Sequence, residues 1–138
     1  RDDGLVEYCQ PSRGYNLGVS GGTYYGVCDI AMEEEFLDAY RVGSRLHALR
    51  SNVNGANSRI YSKEAELKRI KEKIRAKEAE LISDDVSVQD RVLLLADLKE
   101  LSERTGELEA EIEQLVAEKA RHEHELRDYE QTVAAYDY

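Results

Sequence analysis

Tryptophan is absent from this chain of 138 residues, and phenylalanine, proline and methionine occur once each. So few bulky apolar side chains cannot fill a thick core, although they can close a long, thin seam. That disfavours an enzyme with a walled pocket and favours an elongated helical protein. No run of about twenty apolar residues exists, so no segment reads as a membrane-spanning helix. Positive charge is also short: 19 Lys and Arg stand against 29 Asp and Glu, a formal net charge of −10. This balance argues against nucleic acid or an anionic membrane surface as the main partner. It suits the solvated surface of a helix pair. The chain opens at Arg1-Asp2-Asp3-Gly4 without a Met or a signal-peptide pattern, and so reads as a fragment or processed form.

What the chain does have is a seven-residue rhythm. Leu46, Val53, Ile60, Leu67, Ile74 and Leu81 form one stripe. Leu94, Leu101, Leu108, Leu115, His122, Tyr129 and Tyr136 form a second, interleaved with Leu98, Thr105, Ile112, Lys119, Leu126 and Val133. Between the stripes lies Ser83-Asp84-Asp85-Val86-Ser87. Two heptad stripes joined by so short a loop predict an all-α fold, a long antiparallel two-helix coiled-coil hairpin. The helices should run over about 30–82 and 88–137, giving a hairpin domain over residues 30–138. At 1.5 Å per residue each helix would extend roughly 75 Å. The register should set Leu81 against Leu94, Ile74 against Leu101, Leu67 against Leu108 and Ile60 against Leu115. Glu33, Glu34 and Glu35 suit the N-terminus of the first helix, and Ser87 with Asp90 reads as a capping box opening the second.

One stretch argues against a continuous first helix. Ser51-Asn52-Val53-Asn54-Gly55-Ala56-Asn57-Ser58 has the composition of a turn, and a turn there would make a three-helix bundle. The seven-residue spacing nevertheless crosses it without a phase shift, which favours an unbroken helix with a bend. Beyond it the first helix is rich in Lys and Arg, while the returning helix is mostly acidic. Opposite charges beside the seam favour pairing of the two strands, at tenths of a kcal/mol per exposed pair.

Residues 1–29 are of a different kind. Six of the nine glycines, four of the nine tyrosines and both cysteines fall before Met32. The run from Gly14 to Gly26 shows neither a helical nor a strand period, and predicts a compact, turn-rich loop packed by its own tyrosines. Leu5-Val6-Glu7-Tyr8 could form a short helical turn. Cys9 and Cys28 could close the loop as a disulfide, worth roughly 3 kcal/mol, or stand as two reduced, partly buried thiols. The glycine cluster lacks the Gly-Lys-Ser/Thr ending and the preceding strand of a phosphate loop. Phe36, Leu37 and Tyr40, with Tyr129, Tyr136 and Tyr138 returning to the same end, should pack against this segment as a small core.

Gly4-Leu5, Tyr8-Cys9, Gly14, Gly18, Gly21, Tyr24, Val27-Cys28, Phe36, Tyr40 and Gly43 together resemble a family of proteobacterial envelope lipoproteins, domain of unknown function 2799. The resemblance covers residues 1–46. It implies a periplasmic, outer-membrane-anchored setting, with the signal peptide and the lipidated cysteine upstream of Arg1. On that ground it also implies a Cys9–Cys28 disulfide. It implies no activity, since the family has none assigned.

Two surfaces could carry a function. Around the tip, Ile82, Val86, Val88, Val92, Leu93 and Leu95 exceed what the seam needs. They either plug the end of the coiled coil or form a contact for another protein or another copy, with Val86, Val88, Val92 and Leu93 as the contact residues. At the base, Tyr15, Tyr24 and Tyr25 could hold a ligand such as glycan. His122 and His124 point in different directions from one helix and cannot chelate a metal together. No nucleophile, base and pocket combine, so neither catalysis nor a cofactor is expected. The expected role is that of a non-enzymatic structural or interaction protein of the bacterial envelope, meeting the membrane only through an upstream lipid anchor.

Overall fold

The computed structural model describes residues 3–136 and 138, and among them every regular element is helical. The order is α1 (Asp3–Tyr8), α2 (Pro11–Val19), α3 (Ile30–Leu81) and α4 (Val88–Ala134). Helices α3 and α4 pack as the expected hairpin. The Asn/Gly stretch stays helical throughout α3, so the unbroken heptad phase prevailed over local composition. Ala56, at a seam position within that stretch, is fully buried. Tertiary burial there offsets a propensity penalty of about 1 kcal/mol for the glycine and less for each Asn or Ser. The second helix ends at Ala134, short of the predicted 137, a residue outside the described ones.

The chain divides into two compact units, residues 1–55 with 119–138, and residues 56–118. In the first, the turn-rich loop expected between Gly14 and Gly26 is corrected: its first half is helix α2. Gly14, Gly18 and, across from them on α3, Gly43 are buried. A Cβ on Gly18 would press into the backbone of Tyr40 and Ser44, and one on Gly43 into the backbone of Tyr15 and Val19. These glycines are therefore spacers for backbone-to-backbone packing of α2 on α3, a use that four-residue spacing on a helix face permits. Positive φ is confined to Gly21 and Gly26 among the described residues. Gly21 closes α2: its N–H donates to the Gly18 carbonyl, while the Gly22 N–H reaches back to the Leu17 carbonyl at 2.9 Å. This double bond pattern stops a helix with a left-handed residue.

The disulfide Cys9–Cys28 is present, with Cα atoms 5.8 Å apart. It ties the end of α1 to the start of α3. Cys9, Phe36, Ala39, Leu46 and Leu49 form the buried core of this unit. Tyr8 stacks on Phe36 at 5.6 Å and Tyr24 tilts onto it at 5.0 Å, while Tyr15 stacks on Tyr138 at 5.2 Å. Of the aromatic core expected here, Phe36 is buried and Tyr40 and Tyr129 are half-buried, but Tyr136 and Tyr138 stand exposed at 46% and 40%. Tyr40 Oη donates to the Gly22 carbonyl at 2.8 Å, and His47 Nδ1 lies 3.0 Å from the Val19 carbonyl. Both tie the end of α2 to α3.

The second unit has only a seam. Ile60, Leu67, Ile70, Ile74 and Leu81 face inward from α3, and Leu94, Leu98, Leu101, Leu108, Ile112 and Leu115 from α4, none of them exposed. Of these only Ile70, Leu94 and Leu108 are buried, and only Leu108 fully, because two helices cannot surround a stripe. Lys63 and Lys77 occupy seam positions on α3, covering it with their stems and sending Nζ to Glu111 at 2.7 Å and Asp97 at 3.1 Å. Asp97 and Glu111 neighbour Leu98 and Ile112, the counterparts that the heptad register assigns to Lys77 and Lys63. Thr105 satisfies its hydroxyl by donating to the Leu101 carbonyl at 2.9 Å.

Candidate functional site

The loop between α3 and α4 is held by its own polar groups. Ser87 Oγ accepts the Asp90 N–H at 3.1 Å, which caps α4 as the spacing predicts. Ser83 Oγ accepts the Asp85 N–H at 3.4 Å, and Arg91 Nη2 donates to the Ser83 carbonyl at 3.2 Å. With the turn satisfied by serines and an arginine, the apolar residues around it are not needed to close it.

Most of them stand in water. Val86 is half-buried, but Ile82 is 82% exposed, Val88 79%, Val92 61%, Leu93 64% and Leu95 54%. Of the six, Val86 alone is not exposed. Val86 and Leu93, with Lys77, Glu80, Asp85, Asp90 and others, line an open groove of about 560 Å³. Asp84, Asp85 and Asp90 are exposed around the patch, giving it an acidic rim.

The tyrosines proposed for a ligand have three separate surroundings. Tyr15, with Tyr136 and Tyr138, lines a shallow groove of about 240 Å³. Tyr24 is consumed in structure: its hydroxyl donates to Glu33 Oε2 at 2.7 Å and accepts the Cys28 N–H at 3.0 Å. Burial and the bond to the Glu33 carboxylate raise its pKa above the ordinary tyrosine value. Tyr25 stands 82% exposed. The histidines are likewise dispersed in their bonds, His47 to the Val19 carbonyl and His124 Nε2 to Asp128 at 3.2 Å.

The polar chemistry of the second unit is concentrated in one cluster. Arg104 donates through Nε and Nη2 to Glu66 Oε2 at 3.1 and 3.0 Å, and through Nη1 to Glu107 and Glu111. Those bonds, the one to Glu66 foremost, raise the Arg104 pKa above its already high value. The bond from Lys63 holds the Glu111 carboxyl below the usual glutamate range. Such a network ties the two helices in register. The sequence reading missed Tyr61 and Val116, exposed by 76% and 50%; both lie beside the seam, where an apolar residue was the available signal.

No curated protein and no solved structure matches this chain. The residues that carry the resemblance noted above do packing work: Cys9 and Phe36 are core, Gly14, Gly18 and Gly43 let α2 reach α3, and Tyr24 and Tyr40 bond across the joint. A family model described as "Protein of unknown function (DUF2799)" matches residues 1–45, which span α1, α2, the disulfide and the start of α3.

Proposed function

We propose that this protein is a non-enzymatic interaction protein of the bacterial envelope, whose coiled-coil hairpin presents Val86, Val88, Val92 and Leu93 to another protein. The observation that carries this reading is the exposure of Val88, Val92 and Leu93 beside a loop closed by other means. Contiguous apolar side chains left in water are the ordinary mark of a contact surface. The acidic rim of Asp84, Asp85 and Asp90 suits a partner segment whose apolar side chains are flanked by Lys or Arg. The disulfide supports an oxidising compartment; the envelope setting, with a lipid anchor at the outer membrane, rests on what the sequence resemblance implies.

A photocrosslinking residue at Val92 of the full chain, used in envelope preparations, tests the contact. One discrete protein adduct is expected, and Leu93→Asp should abolish it. Far-UV circular dichroism should stay unchanged, with stability altered by no more than about 0.5 kcal/mol, as for an exposed site. An adduct that survives Leu93→Asp, or an end of the hairpin that unfolds, overturns the reading. The exposed Tyr25 supports a second reading, a glycan site at the base; loss of glycan binding in Tyr25→Ala with unchanged folding would favour it instead.

A further inference from the structure

The apolar surplus at the end of the hairpin is not one surface. Val88, Val92 and Leu95 follow one another at helical spacing and share a face of α4 on which Leu93 does not lie. Leu93 instead lines the open groove of about 560 Å³, together with Val86 and the buried Leu94. Four carboxylates, Glu80, Asp85, Asp90 and Asp97, stand along that groove with a single amine, Lys77. Lys77 is already bound to Asp97 at 3.1 Å. Glu80, Asp85 and Asp90 are exposed and have no ion pair among the described residues. Arg75, Arg91 and Lys99, the other bases near the tip, do not line the groove, and Arg91 is spent on the Ser83 carbonyl at 3.2 Å.

These carboxylates are not gathered at one point. Among the described residues no three of His, Cys, Asp and Glu come close enough to share a metal ion. Charges placed apart along a groove match several cations carried in a row, and the apolar floor matches the side chains between them. Every regular element among the described residues is helical, so there is no sheet edge for a strand to extend. A helix laid in the groove is the mode that suits two flanking helices. Asp90 and Asp97 lie seven residues apart on α4 with Leu93 between them, the spacing at which a helix running alongside repeats its own contacts.

We propose that the groove takes a short amphipathic helix of another protein, with apolar side chains on Val86 and Leu93 and with Lys or Arg over Glu80, Asp85 and Asp90. The proposal rests on the contact reading above, and adds which side of the tip is occupied and by what chemistry. A second copy does not suit the groove. Two copies meeting there would set these carboxylates against one another.

A photocrosslinking residue at Val86, within the groove, is compared with one at Val92, outside it, in the full chain and in envelope preparations; the captured peptide is then sequenced. Capture at Val86 should return a peptide with Lys or Arg repeating at helical spacing among apolar residues. Its yield should fall about tenfold in E80Q/D85N/D90N, as for the loss of three exposed charge pairs. A comparable fall is expected for the wild type in about 0.5 M salt, a readout that does not depend on how a variant folds. E109Q/E113Q, away from the groove, should leave the yield unchanged, and far-UV circular dichroism should be the same for every variant. The proposal is overturned, while the contact reading stands, by capture at Val92 alone or by a Val86 peptide without basic residues. A peptide from a second copy of this chain, or a yield indifferent to neutralisation and salt, would overturn it equally. No capture at either position would remove both.

Discussion

Glycine is a packing device in one region of this molecule and an unfilled position in the other. In the basal unit, Gly14, Gly18 and Gly43 bring two backbones together, and the aromatic rings and the disulfide gather round the joint. In the unit of residues 56–118, Gly106 touches nothing within the chain. The same contrast holds for the cores. Phe36, Leu46 and Leu49 are sealed from water, because α1, α2 and α4 approach α3 from several sides. The seam between Ala56 and Glu118 has two walls only, so most of its leucines remain half-exposed. A stripe between two helices sets register; it takes a third element to make a core.

The disulfide offers the largest way to break this comparison. Cys9→Ser with Cys28→Ser should destabilise the basal unit by about 3 kcal/mol, from the loop-closure entropy of a separation of 19 residues. Hydrogen exchange would localise the loss to α1 and α2, with amides near Leu108 little changed. Equal loss of protection near Leu108 would mean that the two regions unfold as one.

One substitution with two signs would sharpen it. Gly43→Ala inserts a methyl group against the backbone of Tyr15 and Val19 and should cost about 2 kcal/mol as an overpacked joint. Gly106→Ala meets open space and should stabilise the free chain by about 1 kcal/mol through helix propensity. Thermal unfolding of the two variants in parallel would check both. Matching signs would contradict the division of roles.

The smallest expected effect is on pH. Because Lys63 lowers the Glu111 pKa in the folded chain, the unfolded state binds that proton more readily. The contribution is therefore complete above the ordinary glutamate value, about 4.3, and is lost as pH falls through the lower, folded one. Glu111→Gln should remove that part of the acid dependence of the unfolding midpoint. Salt should diminish it as well, since the pair is partly open to solvent.

The hairpin was legible because period is a property of the chain itself. Every seventh residue from Leu46 to Leu81 lands on one face whatever surrounds it, and an unbroken phase carried α3 through eight residues of turn-like composition. The cap at Ser87 was legible for a similar reason, being an interaction over three residues. The tip was half legible: a surplus of valine and leucine could be counted, but whether it plugged or protruded depended on what the loop's serines and Arg91 left for it to do.

Helix α2 was not legible. Two glycines within nine residues are a penalty on any local scale, and they are tolerated because α3 lies close enough to reward their lack of side chains. The sequence alone thus determined where helices α3 and α4 begin, how they pair and where charge flanks them, since these follow from spacing along one dimension. Only the tertiary structure decided that the glycine segment is a docked helix, that Tyr24 is a strut bonded to Glu33, and that one flank of the hairpin is closed by ion pairs while the other stands open. Each of those depends on which distant backbone or side chain comes within a few ångströms, and that information is not periodic.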